Sequence, residues 1–303
     1  MLRLIADTNS KVSKLENELN DLKLLCGSIH ANINRDIQAP GINDHEFKVF
    51  SQFGDDGIIQ YLTNVIEIKN RTFIEFGVED FFESNTRFLM MNNNWEGFVL
   101  DGAKENIERL TKSNFYWKYQ LKAADAFITR ENINELLEMS GFDHDLGLLH
   151  IDLDGNDYWI WKQIDKFAPR ILILEYNSVF GSENSWTVPY QADFYRFNAH
   201  YSGLYWGASL PALFALSKAK GYDLVGCNSA GNNAYFVRKD VNTLPGLSLA
   251  AGFKTSMYRE ARDQEGRLSF ISKDDRLKLL DGLKIFNTEK NKLETINAEP
   301  GND

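Results

Sequence analysis

Short apolar runs alternate with helical patterns from residue 71 to about residue 240, and this alternation limits the chain more than any other feature. The runs are TFIEFG (72–77), GFVLDG (97–102), YQLKAA (119–124), LGLLHID (146–152) and RILILEY (170–176). Between them stand ENIERLTKS, RENINELLEM and YWIWKQIDKF, whose apolar spacing is helical. Strands that alternate with helices predict an α/β domain with a parallel sheet covered on both faces. Further on, the helical ASLPALFALSKAKG leads to YDLVGCN and AYFVRK, joined by a Ser/Gly/Asn loop. That pair reads as a hairpin placing one antiparallel strand in an otherwise parallel sheet. The expected fold is therefore a seven-stranded, Rossmann-like sheet with a terminal antiparallel hairpin, whereas a dinucleotide-binding Rossmann domain stays parallel.

With 303 residues, 43% of them apolar, the chain has ample material for one large core. The net charge of -10 and pI near 5.1 disfavour a broad grip on nucleic acid or on an anionic membrane surface. Neither is expected as a partner. Cys26 and Cys227 lie far apart and outside any zinc-ligand spacing. The first residues lack the apolar centre of a signal peptide, and no stretch approaches the roughly 18 apolar residues of a membrane span. A cytoplasmic protein is expected.

The first thirty residues carry a heptad pattern, with Ile5, Val12, Leu19 and Cys26 on one line and Thr8, Leu15, Leu22 and Ile29 on another. With these as a and d, a parallel pair of helices would match Lys11 with Glu16 and Glu18 with Lys23 across the seam. Residues 1–35 are expected to form a helix that joins two chains, or else lies on its own domain. Val at a and Leu at d lean towards a homodimer over other homo-oligomers. Gly27 weakens the last turn, so SIHANINRDIQAPG reads as a linker to a globular domain spanning 46–240. Residues 241–303 are expected to pack on that domain as an extension. Its Arg259, Glu260, Arg262 and Asp263 read as a solvated, ion-paired face, and its last seventeen residues as mobile.

Ligands of parallel α/β sheets bind at the carboxyl ends of the strands. Here those ends are polar: Glu75-Phe76-Gly77, Asp101-Gly102, Asp125-Ala126, Asp152-Leu153-Asp154 and Glu175-Tyr176-Asn177. One acidic residue at a strand end is an ordinary turn or helix cap, but five strands ending alike point to a site. Asp101 suits ribose hydroxyls. Glu83, Asn85 and Thr86 are candidates for the amino-acid end of a cofactor, or for a turn.

Four segments resemble the FkbM-type methyltransferase family: SQFGDDGII (51–59), FIEFGVED (73–80), HIDLDGNDYWIW (150–161) and ILILEYN (171–177). Asp152, Asp154, Gly155 and Asp157 take the places of the family's Asp, Glu, Gly and second Glu. His150 replaces a Lys, and Glu79 stands where a second Gly is usual. The resemblance implies the class I methyltransferase sheet, which closes with such an antiparallel hairpin, and an S-adenosylmethionine-dependent O-methyltransferase acting on a saccharide hydroxyl.

Two chemistries fit these residues. Asp152 or His150 would act as a general base, or Asp152, Glu175 and Asn177 would hold Mg²⁺ or another divalent cation. Asp154 and Asp157 also suit the start of the helix that follows. The long segment 178–210 is rich in aromatic and amide side chains, so acceptor recognition is expected there, at His200, Tyr201 and Tyr205, with Asp154 beside them. Tyr158, Trp159 and Trp161 read as core. A nicotinamide-dependent oxidoreductase is disfavoured by the missing GxGxxG turn. A non-catalytic scaffold and a metal-dependent hydrolase stay open as alternatives.

Overall fold

The computed structural model describes residues 2–272 and 275–298. A long helix, α1 (Leu2–Arg35), precedes α2 (Asp55–Val65), and then the expected alternation begins. It runs β1 (Thr72–Phe76), α3 (Arg87–Asn93), β2 (Glu96–Asp101), α4 (Lys104–Thr111), β3 (Leu121–Asp125), α5 (Ile133–Glu138), β4 (Leu148–Ile151), α6 (Asp157–Gln163) and β5 (Ile171–Glu175). A two-residue strand β6 (Trp186–Thr187) and a short helix α7 (Arg196–Ala199) follow. Next come α8 (Leu210–Ala219), β7 (Tyr222–Cys227) and β8 (Asn233–Arg238), and near the end β9 (Lys284–Asn287) and β10 (Lys292–Thr295).

Seven strands form one sheet in the order β3-β2-β1-β4-β5-β8-β7. β1 to β5 pair in parallel, and β8 is antiparallel to both β5 and β7. This is the seven-stranded sheet with a closing antiparallel strand that the sequence predicts. The central strands read as unbroken apolar runs because both of their faces are covered. Ile171 and Ile173 enter the layer shared with α2 and α3, while Leu172 and Leu174 enter the opposite layer with Trp161 and Leu213. Tyr158 and Trp161 are core residues, as expected.

Two expectations change. Residues 28–35 are helix and not linker: α1 runs unbroken to Arg35, and Gly27 is where it sits against the domain, since a Cβ there would meet Phe88 and Val49 at 2.7 Å. The linker is correspondingly short. The last residues are not a loose tail, because β10 pairs with β9 and β9 with β6 in a second, three-stranded sheet. Of the seventeen residues expected to be mobile, 299–303 lie outside the described residues. The carboxyl-terminal extension packs on the segment after β5: Leu280, Ile285 and Ile296 share a core with Phe180, Trp186, Phe194, Tyr205 and Trp206. Among the described residues no helix is long and apolar enough to cross a membrane.

Candidate functional site

Parallel strands all point the same way, so their carboxyl ends share one edge of the sheet. A cleft of about 480 Å³ opens at that edge, over β1, β4 and β5. Of the residues singled out in the sequence, Glu75, Gly77, Glu83, Asn85, His150, Asp152, Asp154 and Glu175 line it.

At its floor is a buried pair. His150 Nδ1 lies 2.9 Å from Glu75 Oε1. Glu75 also accepts hydrogen bonds from Ser84 Oγ (2.7 Å), from the Asn85 and Thr86 N–H groups, and from Thr86 Oγ1. Burial pushes the Glu75 carboxyl up, but the His150 bond and charge together with these hydroxyl donors outweigh it, and the group is held below its ordinary range. For His150 burial acts downward, and the Glu75 bond and charge reverse it, leaving the imidazole raised. An ionised Glu75 accepts the Nδ1 proton, so Nε2 is the nitrogen turned to the cleft, 3.3 Å from Asn85 Nδ2.

Beside the pair, Asp152, Asp154 and Glu175 bring carboxylate oxygens within 4.8 Å of one another. Glu175 is 8% exposed, and its Oε2 has no hydrogen-bond partner among the described residues. Burial, with Asp152, Asp154 and Asp157 alongside, pushes its carboxyl well above the ordinary value. Burial also raises Asp152, against the pull of His150. Asp157 is raised to about 7 by burial and by Asp152 while it holds the Leu153 and Gly155 N–H groups. Besides His150, an arginine among the described residues reaches the cluster. Arg196 on α7 donates from Nη1 to Asp154 Oδ1 at 2.8 Å and from Nη2 to Glu260.

The backbone around the cleft is tight. Gly77 has φ of +69°, and a Cβ there would fall 1.9 Å from the Asp152 carbonyl oxygen. Glu79, where the resemblance expects glycine, itself takes a left-handed φ of +48°, and Asp154 one of +52°. Both are strained for residues that carry a Cβ.

Several expected residues lie elsewhere. The Phe76 ring is in the core, and Phe76 does not line the cleft. Asp101 braces loops: Oδ2 accepts from the Glu79 N–H, and Oδ1 from the Ala103 N–H and from Asn106 Nδ2. Gly102, Asp125 and Ala126 follow it on the β2–β3 side, with Asp125 exposed, and none of them lines the cleft. Thr86 is spent on Glu75. Asn177 is not a metal ligand, because Nδ2 donates to the Leu204 and Trp206 carbonyls and Oδ1 accepts from Val179. His200, Tyr201 and Tyr205 miss the cleft too: His200 bonds Ser202, Tyr201 faces solvent, and Tyr205 donates to the Lys284 carbonyl within the second core.

In their place the segment after β5 supplies Arg196 and Trp206, the extension supplies Tyr258 and Glu260, and the β7–β8 loop and strand supply Asn232 and Asn233. Glu260 is exposed and ion-paired, as expected of a charged face, and it borders the cleft as well. The motif SQFGDDGII contributes Gln52 and Phe53 directly. Its two acids build the walls: Asp55 accepts from Asn228, Asn233 and Tyr235, and Asp56 gathers the N–H groups of residues 49–51. The doubled acids and the Asn-rich loop were the available signals for this contact.

No protein-family model matches the chain, and no curated protein matches it. Among solved structures it is similar to an O-methyltransferase family protein from Burkholderia thailandensis, at 10% identity over 67% of this chain and 59% of that one, with a TM-score of 0.37. It is also similar to an S-adenosylmethionine-dependent methyltransferase from Clostridium acetobutylicum, at 11% identity over 61% and 90% of the two chains, with a TM-score of 0.38. A third is an O-methyltransferase from Bacillus cereus in complex with SAH, at 11% identity over 55% and 74%, with a TM-score of 0.37. The chain spans less than two thirds of the first of these. At this distance the sheet order and the cleft bear on function, not the likeness.

Proposed function

We propose that this chain is an S-adenosylmethionine-dependent methyltransferase that methylates a hydroxyl oxygen. One observation carries the reading: the β3-β2-β1-β4-β5-β8-β7 sheet places the Glu75–His150 pair and an acidic cleft together at its carboxyl edge. S-adenosylmethionine supplies an electrophilic methyl group on a sulfonium, and a negative cleft suits that cation. His150 Nε2, with Nδ1 fixed by Glu75, takes the acceptor's hydroxyl proton as the oxygen–carbon bond forms and the carbon–sulfur bond breaks.

The FkbM-type resemblance suggests a saccharide as acceptor. In support, Trp206 and Tyr258 offer aromatic surface, and Asn233 Oδ1, buried without a partner among the described residues, is an acceptor for a ligand hydroxyl. The Asp152, Asp154 and Glu175 oxygens also fit a hard divalent cation such as Mg²⁺, the orphaned Glu175 Oε2 being the group that would gain most. Such an ion would lower the pKa of a hydroxyl bound to it.

Calorimetric titration with S-adenosylhomocysteine, with and without EDTA, tests the reading. Micromolar binding in both conditions, followed by labelled methyl transfer to sugar acceptors, is the expected result. Folded protein that binds in neither condition would overturn the assignment.

A further inference from the structure

The heptad pattern of α1 and the packing of α1 use different faces of one helix. Leu24, Gly27, Ser28, Ala31 and Asn34 turn inward, at positions b, c and f. Gly27 sits on Phe88 and Val49, Ser28 Oγ bonds Asn92 Oδ1 at 2.6 Å, and Asn34 bonds His45. The a and d positions are left open, although Leu19, Leu22 and Cys26 also border a groove shared with Phe47, Lys48 and Val49. Val12, Leu15, Leu19, Leu22, Ile29 and Ile33 are 46 to 64% exposed, and Cys26 is exposed among them. The side chain of Ile5 lies outside the described residues. From residue 11 to residue 23 no side chain of the helix is buried.

The protein's own fold therefore leaves the apolar seam uncovered. A helix that projects without tertiary support is marginal in water, and an apolar stripe on it calls for a partner. Charge complementarity identifies the partner as a second copy. Lys11 and Glu18 fall at g, and Glu16 and Lys23 fall at the following e, so parallel, in-register helices oppose each pair with opposite sign. Within one chain Lys11 reaches Asp7 at 2.8 Å and Glu18 lies 3.7 Å from Lys14, contacts between exposed groups that are easily exchanged. The contacts of α1 with the domain are made chiefly from b, c and f, on the side of the helix opposite the a/d seam. Val at a with Leu at d favours two strands.

We propose that this chain forms a parallel homodimer through a two-stranded coiled coil of α1, independently of what its cleft does. Sedimentation analysis of the full chain at micromolar concentration should give twice 34.7 kDa. Leu15→Glu with Leu22→Glu, at exposed positions, should give a monomer with unchanged near-ultraviolet circular dichroism. Glu16→Lys should weaken the dimer several-fold, and adding Lys11→Glu should restore it. Cys26 is at an a position, so mild oxidation should link two chains, and Cys26→Ser should abolish the link. A monomeric native chain, or a dimer that survives the double Glu variant, would overturn the proposal. A dimer that never cross-links at Cys26 would overturn the parallel register.

Discussion

Glu75 on β1 and His150 on β4 are direct partners across the parallel ladder, and their side chains meet at 2.9 Å in the interior. Neighbouring strands thus bring together two residues 75 positions apart, and their charges shift each other in opposite directions. Glu75→Gln should cut methyl transfer by about 100-fold or more, because an amide no longer fixes the Nδ1–H tautomer or supports a positive imidazole. Affinity for S-adenosylhomocysteine should hold. Single-turnover rates beside calorimetry separate the two effects, and an equal loss in both would point to collapse of the site.

The same pair makes stability depend on pH. Glu75 is lowered from 4.5, so its contribution is present above that value and lost as pH falls through the folded value. His150 is raised from 6.5, so its contribution is present below that value and lost as pH rises through the folded value. Denaturant midpoints should therefore show the pair's contribution fullest between the two ordinary values, and His150→Gln should flatten the alkaline limb.

Glu175→Gln removes a carboxyl that burial and three neighbouring acids disfavour as an anion. In metal-free protein the melting temperature should rise by about 2–4 °C, corresponding to about 1 kcal/mol. Binding of Mn²⁺, followed by electron paramagnetic resonance, should weaken by at least ~10-fold if the cluster holds a cation.

Asp145 caps the far side of the sheet. It meets Arg170 at 2.6 Å and Arg238 at 2.9 Å, and the Arg170 side chain is 2% exposed. The Arg170 bond, followed by Arg238, holds Asp145 below its ordinary 3.8. Asp145→Asn should cost about 3 kcal/mol near neutral pH, since it leaves a buried guanidinium short of its counter-charge. The loss should shrink as pH falls through the folded value of Asp145, where the native carboxylate is itself protonated. Urea midpoints at neutral and acid pH read both.

Gly77→Ala should be more harmful than a small side chain suggests. The left-handed φ alone costs about 1–2 kcal/mol, and the added carbon meets the Asp152 carbonyl at 1.9 Å. Loss of S-adenosylhomocysteine binding alongside a lower melting temperature is expected. Unchanged values would show that the β1 and β4 loops are not locked together.

The strands and their shared edge were legible in the sequence, because periodicity and turn residues are local. Runs such as RILILEY declare a strand covered on both faces, and SAGNN declares the reversal that makes β8 antiparallel. Once the strands are parallel, their acidic ends must lie on one edge. Adjacency across the sheet is not local: Glu75 and His150 meet only because β4 packs beside β1, and Asp101 and Asp125 fall outside the cleft because β2 and β3 lie on the other side of β1. Arg196, Tyr258 and Glu260 were equally hidden, since they reach the cleft through a second core built from segments far apart in the chain. The heptads specified an apolar face on α1, and only packing decided that the domain takes the opposite face. The sequence by itself determined which elements form and which way each one faces, through periods of two to seven residues. Which faces meet was decided by the tertiary structure, because contacts between distant segments depend on how all the elements share one core.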